Sequence, residues 1–525
     1  MNSFDSTQAL LPEIMALHGR WRSTQTALIE GERSLSWGAF DRLLNQVANG
    51  LRAQGVQPGD CVAVLMHNSL EMVAALFGTL KSGAVVVPLN LSITDQALVE
   101  MVGDCGAVAI LASDEQCRRV DALRTQFPTL RAQSYVGVNA PARGWQEFNA
   151  WVEQQDAAPL LHAVQPDSPC NIIYSSGTTG VPKGIVHSHL CRLRWAVDVG
   201  AALRYHSGAI TICSLGLFSN ISWVSMLATF YAGGTVVVMR SFKPHELMAQ
   251  IERFEVTHGA FVPIQLQRIL DSGAADVHPS RTLQTLMCCG SPLAADTKRA
   301  VAAALSCQLI ELYGLTEGLV TTLGPEDFRR KLTSVGKPLP GAQLLLLDES
   351  DRPVPTGEAG EIVGRSSLIM SGYHNRPDAD AEATWIGPDG LRWFRTGDIG
   401  RLDDEGFLYI VDRKKDMLLS GGQNVYPADI EQVIRLHEAV AEIAVIGVPS
   451  ERWGESPLAV VVLHAGQRIE AEQLMAWTNE RVGKQQRVSG VVFRDALPRN
   501  PNGKILKREL RREYITAVVT SESRS

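Results

Sequence analysis

Apolar side chains at Phe40, Leu43, Leu44, Val47 and Leu51 share one helical face, so the pattern predicts a helix over 36–55. The turn Gly55-Val56-Gln57-Pro58-Gly59-Asp60 ends it, and the apolar run 61–66 reads as a buried strand. The alternation continues with helices over 69–82 and 94–103 and strands over 84–88 and 107–112. Beyond residue 188 it resumes, with helices predicted over 189–201, 221–231, 244–254, 263–270 and 293–305. Strands are predicted over 209–213, 235–239, 258–261 and 286–289, with a further one running into Glu311-Leu312-Tyr313. Strands separated by helices of this length predict an α/β fold with mainly parallel sheets.

The rhythm breaks after about Thr333, where Gly336, Pro338, Pro340, Gly341, Pro353, Pro355, Gly357 and Gly360 separate short strands such as 342–347 and 361–363. A compact β region over 333–411, expected as a small β-barrel, follows from this spacing. The charged run Asp412-Arg413-Lys414-Lys415-Asp416 reads as a linker or as a solvated turn, and mixed α/β patterning returns over 428–482. The expected organisation is a large N-terminal domain, 1–412, of two α/β subdomains plus the β-barrel region. A smaller, mobile α+β C-terminal domain, 413–525, completes it.

Composition narrows the function classes. A net charge of −7 over 525 residues offers no general attraction to nucleic acid or anionic membrane. No apolar run reaches the roughly 18 residues of a membrane span, and 74–90 is broken by Lys81 and glycines. The N-terminus lacks a basic region followed by an apolar one. The nine cysteines show no CxxC spacing, so they are expected reduced and buried, in a cytoplasmic protein. Cys288-Cys289 is read as core filling beside a site.

Four loops carry candidate chemistry. Tyr174-Ser-Ser-Gly-Thr-Thr-Gly-Val-Pro-Lys-Gly184 combines glycines, the hydroxyls of Ser175, Ser176, Thr178 and Thr179, and the charge of Lys183. It suits either a phosphate cradle or a tight turn. It is not a Walker A loop, because Gly184 rather than Ser or Thr follows the lysine. Tyr313-Gly-Leu-Thr-Glu317 offers a hydroxyl and a carboxylate, which with phosphate oxygens suit Mg²⁺, or is a solvated loop. Asp398, in Trp393-Phe-Arg-Thr-Gly-Asp398, can accept two hydroxyls of a ribose or cap a turn. Pro498-Arg-Asn-Pro-Asn-Gly-Lys504 is a stiff loop presenting Lys504 as a surface lysine or as a positioned cation.

Together these loops, in this order over roughly residues 25–515, resemble the adenylate-forming superfamily of acyl-CoA synthetases, peptide-synthetase adenylation domains and beetle luciferases. The match takes in Pro182-Lys183-Gly184, Tyr313–Glu317, Thr396-Gly397-Asp398, 412–416, Ser420-Gly421-Gly422 and the Lys504 loop. The resemblance implies that Ser176, Thr178, Thr179 and Lys183 belong to a phosphate-binding loop. It implies that Gly290, Ser291 and Pro292 line adenine, with Glu311 and Tyr313 on the other side. Thr316 would contact phosphate, Glu317 would hold Mg²⁺, and Asp398 and Arg413 would bind ribose. Lys504 would be the lysine of acyl-AMP formation, Lys415 the hinge, and Gly421 and Gly422 the strand beside a pantetheine passage. ATP, Mg²⁺ and coenzyme A are the implied cofactors and co-substrates.

The implied reaction converts a small-molecule carboxylic acid to an acyl-AMP and then to a thioester of coenzyme A. A carrier-protein pantetheine is the alternative acceptor, and a silent nucleotide-binding relative the alternative from another class. The implied acid pocket includes Phe218, Ser219, Trp223, Phe261, Val262 and Leu319, whose apolar character suits an aromatic, alicyclic or fatty acid. No aspartate lies between Cys213 and Leu227, which argues against an amino-acid substrate. Gly216-Leu217-Phe218-Ser219 departs from the Pro-Leu-Phe-His of many acyl-CoA synthetases, putting roles carried over from that histidine in doubt. No nucleic-acid partner or membrane segment is expected, and a homodimer is a plausible assembly without a signature in the sequence.

Overall fold

A computed structural model describes residues 8–140, 144–160, 164–175, 182–420, 423–450, 453–499 and 503–522, the last without side chains beyond 514. Contacts divide the chain into two compact units, 1–343 with 365–384, and 344–364 with 385–525.

The first unit holds two twisted sheets with parallel centres. In one, parallel strands Pro169–Ser175, Val85–Pro88, Cys61–Leu65, Ala109–Ser113, Tyr135–Val138 and Gln146–Glu147 run side by side. In the other, Gln308–Leu315, Thr285–Cys288, His258–Phe261, Ile210–Cys213, Thr235–Val238 and Thr26–Glu30 do the same. Antiparallel strands finish the edges that carry the motifs: Lys183–Ser188 beside Pro169–Ser175, and Gly318–Leu323 beside Gln308–Leu315.

The helices follow from capping and burial. Ser36 accepts a hydrogen bond from the Ala39 amide at 3.2 Å and starts the helix Trp37–Ala53. Ser69 caps Leu70–Lys81 in the same way. Leu70–Lys81 is apolar nearly all round, as a helix buried in a core must be. Its Phe77 meets Trp223 and Phe230, with ring centroids 5.9 and 5.0 Å away.

Two expectations change. The predicted helix over 189–201 breaks into His189–Arg194, a π-helical turn Trp195–Val199 and a last turn Gly200–Ala202. The β region does not close into a barrel among the described residues. Gln343–Leu347, Ala359–Arg365, Arg392–Leu402 and Thr384–Ile386 form an open sheet, with Leu408–Arg413 also paired to Arg392–Leu402. A closed barrel needs its first and last strands to hydrogen-bond, and here they do not.

The second unit adds a sheet of Gln423–Val425, Leu418–Ser420, Gly454–Leu463 and Val440–Ser450, with Gly490–Phe493 parallel to Gly454–Leu463. Contacts place 344–364 and 385–412 in this unit, although the sequence groups them with the N-terminal domain. Asp412 Oδ2 accepts from the Ala428 amide at 2.9 Å, and Asn424 donates to Glu349 at 2.8 Å, tying the two sheets together. No described helix is long and apolar enough to cross a membrane. Eight of the cysteines are buried and Cys307 is half-buried.

Candidate active site

The Gly- and Ser/Thr-rich loop springs from a closed base. Ser175 pairs with Lys183 across the antiparallel strands on either side of it. Ser176, Thr178 and Thr179 lie outside the described residues. The Lys183 ammonium lies 4.9 Å from the centroid of the Tyr373 ring, within range of a cation–π attraction. The Tyr373 hydroxyl in turn donates to Glu317 Oε1 at 3.0 Å. Burial and the neighbouring Glu317 carboxylate hold that phenol protonated, far above its usual range.

Thr316 and Glu317 form the two-residue turn between Gln308–Leu315 and Gly318–Leu323. Two hydrogen bonds pin it. His187 Nε2 meets the Thr316 carbonyl at 2.8 Å, and the Met370 amide donates to the Glu317 carbonyl at 2.7 Å. A carbonyl only accepts, so Nε2 carries the proton. Burial, aided by nearby Arg192, keeps His187 neutral. Gly318 has φ +119°, and a Cβ there would lie 2.6 Å from Ile369 Cα and 2.7 Å from the Leu368 carbonyl, so glycine alone fits.

Tyr313 is half-buried on its strand, opposite Thr321. Two residues earlier, Glu311 makes a buried ion pair with Lys298, and Lys298 also donates to the Leu332 carbonyl at 2.6 Å. Burial raises the pKa of Glu311 and Lys298 opposes it. The Glu311 carboxylate is thus engaged in the core, and its backbone is what it can offer a nucleotide. After the strand Thr285–Cys288, Gly290 turns with φ +95°, close to Ile221 and Val262, followed by half-buried Ser291 and exposed Pro292. Burial pushes the thiol of Cys289 up to about 12 and raises that of Cys288 well above its ordinary range, so neither serves as a thiolate nucleophile.

The expected acid-pocket residues divide. Trp223, Phe261, Val262 and Leu319 are at most 2 % exposed. They lie in the interior, where a side chain either packs the core or walls an enclosed pocket. Trp223 is fixed by its indole N–H, which donates to the Leu217 carbonyl at 3.0 Å. Phe218 is half-buried, its ring lying over Gly216. Ser219 is buried and caps the helix Asn220–Ala232, accepting from the Ile221 amide at 3.3 Å.

In the second unit, Asp398 is 3 % exposed and pairs across the sheet with Arg413, whose Nε lies 3.1 Å from Oδ1. Gly397, with φ +69°, takes up the bend before it, and the Thr396 hydroxyl accepts from the Asp398 amide at 3.1 Å. Lys415 occupies the turn between Leu408–Arg413 and Leu418–Ser420, and its carbonyl accepts from Arg511 at 3.1 Å. Burial lowers the pKa of Lys415.

A bridge between Arg499 and Ile505 closes the Lys504 loop, with Arg499 donating to the Gly503 carbonyl at 2.6 Å. Burial, with repulsion from Arg413 and Lys415 and against the attraction of Asp398 and Asp416, lowers the Lys504 ammonium to about 8. The structure thus gathers Lys504, Arg413, Asp398 and Lys415 into one electrostatic group. Gly421 and Gly422 lie outside the described residues.

Tyr373 is a site residue that sequence reasoning missed. It sits in Ser371-Gly-Tyr-His374, where no spacing marks it, and joins the site through the pairing of Gly372–Tyr373 with Ile185 and Val186.

Residues 18–374 match the family model of the AMP-binding enzyme, and residues 429–504 that of the AMP-binding enzyme C-terminal domain. The chain is 34 % identical to feruloyl-CoA synthase from Amycolatopsis sp., covering 93 % of this chain and 96 % of that one. It is 32 % identical to the fatty acid–[acyl-carrier-protein] ligase ScoC from Streptomyces coeruleorubidus, covering 96 % of each. Among solved structures, the anthranilate CoA ligase AuaEII in complex with anthranoyl-AMP superposes with a TM-score of 0.88 at 26 % identity, covering 98 % of this chain and 99 % of that one.

Proposed function

The chain belongs to the AMP-binding enzyme family, and from that premise we propose how its residues carry out an ATP-dependent carboxylate–CoA ligase reaction. The substrate is an apolar acyl or aryl acid, as feruloyl-CoA synthase and its other ligase relatives imply. The observation that carries the residue assignment is the Glu317 carboxylate, held by Tyr373 beside the cation of Lys183.

In the first half-reaction a carboxylate oxygen of the acid attacks the α-phosphorus of ATP. The bond to the bridging oxygen breaks and pyrophosphate leaves. Two anions meet in this step, so its barrier is set by charge neutralisation. Lys183 and Lys504 supply fixed cations, and the hydroxyls of Ser176, Thr178, Thr179 and Thr316 hydrogen-bond phosphate oxygens. Glu317 suits Mg²⁺: it is one half-buried carboxylate with one oxygen already fixed, and Mg²⁺ takes few protein carboxylates beside phosphate oxygens. When bound, Mg²⁺ supplies charge neutralisation between the phosphates. Gly290, Ser291 and Pro292 flank adenine, with Tyr313 and the backbone at Glu311 on its other side. Asp398, a buried acceptor, takes the ribose hydroxyls with Arg413 alongside. In the second half-reaction the thiol of coenzyme A loses its proton, its sulfur attacks the acyl carbon, and AMP leaves. Lys415 is the hinge that exchanges Lys504 for the segment carrying Gly421 and Gly422 between the two steps, dividing the chain functionally at 412/413.

The test is pyrophosphate release with ATP and Mg²⁺ against aryl, cyclic and fatty acids, with and without coenzyme A, and products identified by mass. Acid-dependent acyl-CoA supports the reading. The similarity to ScoC favours one second reading, transfer to a carrier protein. Acyl-AMP that accumulates despite coenzyme A, and is consumed on adding a pantetheine-bearing carrier protein, would select it. No pyrophosphate with any acid would refute both.

A further inference from the structure

Arg192, on the helix His189–Arg194, has no exposed surface. Its Nε donates to Asn171 Oδ1 at 2.6 Å and its Nη1 to Asn220 Oδ1 at 2.8 Å. Its Nη2 is buried without a hydrogen-bond partner, and no carboxylate among the described residues pairs with it. The guanidinium instead lies 5.2 Å from the ring of Trp223 and 5.8 Å from that of Trp195. Burial brings its pKa down to about 10, so it remains charged at neutral pH. An unpaired buried charge is costly, and a structural cross-link between two asparagines does not require one.

Among the neighbouring spare groups, Nδ1 of neutral His187 is an acceptor, whereas those on Arg192 and Asn171 are donors. Asn171 Nδ2 is buried without a partner, and both asparagine oxygens already accept from Arg192. Arg192 Nη2 and Asn171 Nδ2 are both donors, so only an acceptor completes that pair. Asn220, half-exposed at the start of its helix, is the member open to a ligand. The cluster also adjoins the Thr316–Glu317 turn, because His187, which feels the charge of Arg192, is bonded to the Thr316 carbonyl. The π-helical turn Trp195–Val199 begins three residues after Arg192, a departure that often accompanies functional sites.

We propose that Arg192, entered beside Asn220, is a specificity-determining residue that selects an acid carrying a second oxygen acceptor besides the reacting carboxylate. This rests on the ligase reading and narrows its substrate to an oxygen-bearing acid. The acceptor is a second carboxylate or a carbonyl oxygen, both of which a buried guanidinium and amide can bind.

The test measures kcat/KM for pyrophosphate release on matched acids: an alkanoate against its α,ω-dicarboxylate, and a phenylalkanoate against its oxo analogue. Wild type is expected to prefer the acceptor-bearing member by about ten- to hundredfold, the range of one charged hydrogen bond. In Arg192→Met that member should fall to the level of its hydrocarbon partner, with a thermal midpoint no lower than wild type, and Arg192→Lys should be intermediate. The two pairs distinguish carboxylate from carbonyl, and preference in either supports the proposal. A wild type that prefers the hydrocarbon acids overturns it, as does an unchanged ratio in Arg192→Met. Should Arg192→Met not fold, an unchanged ratio in Arg192→Lys overturns it equally. Acyl-CoA formed from hydrocarbon acids alone would leave the ligase reading standing while this inference fails.

Discussion

Raising the pH should switch off acyl-AMP formation well below the point where an ordinary lysine loses its charge. With its pKa lowered to about 8, Lys504 is about nine-tenths cationic at pH 7 and about one-tenth at pH 9. A lysine at its ordinary pKa, about 10.4, would stay almost wholly charged over that range. If the cation offsets charge on the phosphates, kcat/KM for pyrophosphate release should fall about tenfold from pH 7 to pH 9. The effect belongs in kcat/KM, which reports the free enzyme. Bound ATP brings negative charge and raises the ammonium pKa, so kcat should break at a higher pH. The internal control is thioester formation from supplied acyl-AMP, corrected for ionisation of the coenzyme A thiol, in which Lys504 takes no part. A kcat/KM that stays level to pH 9.5, or an equal loss in both half-reactions, would refute the reasoning. The same shift has a sign in folding. The unfolded chain binds a proton here that the folded one releases between about 8 and 10.5, so this group's contribution to stability rises with pH across that window.

Lys504→Ala should abolish pyrophosphate release while sparing most thioester formation from acyl-AMP; parallel losses in the two assays would remove the hinge reading at Lys415. Tyr373→Phe deletes the hydrogen bond that orients Glu317, and should raise the Mg²⁺ concentration needed for half-maximal pyrophosphate release by about three- to tenfold, read by titrating Mg²⁺ at fixed ATP. Lys298→Met strands Glu311 in the core and should cost about 3–5 kcal/mol in denaturant unfolding. Adding Glu311→Leu to that variant should restore much of the loss, and an unaltered midpoint in the single variant would contradict the pairing.

Both parallel sheets are legible in the sequence because each strand, such as Cys61–Leu65 or His258–Phe261, is a short apolar run bounded by turn residues. The antiparallel edges are not. Pro169–Ser175 and Lys183–Ser188 are interrupted by the hydroxyls and glycines of the loop they carry, which mask any period of two. The barrel expectation fails for a related reason: short strands with Gly and Pro between them announce β structure, but closure depends on pairing between the end strands, which periodicity does not encode. Motif spacing singles out Glu317, Asp398 and Lys504 as candidates. It cannot find Tyr373, which reaches Glu317 from 56 positions along the chain. Trp223 is legible as an apolar aromatic near the motifs, but the bond from its indole N–H to Leu217 that fixes it is not. Arg192 lies in a segment patterned as an ordinary helix, and nothing there says that its charge faces inward without a counterion.

The burial of the cysteines has a practical consequence for watching this enzyme work. Eight native thiols are sealed in the interior, and half-buried Cys307 has its pKa pushed up to about 12. A maleimide at neutral pH therefore finds little thiolate to react with on the native chain. Single cysteines placed at Trp21 and Leu436, 73 % and 79 % exposed and one in each unit, could carry a donor and an acceptor dye without first stripping the protein of its own sulfur. The wild-type background is thus ready for single-molecule distance measurements through the catalytic cycle. The proposed hinge at Lys415 then has a direct test: transfer efficiency should change on acyl-AMP formation and again on adding coenzyme A, and a flat trace would count against it.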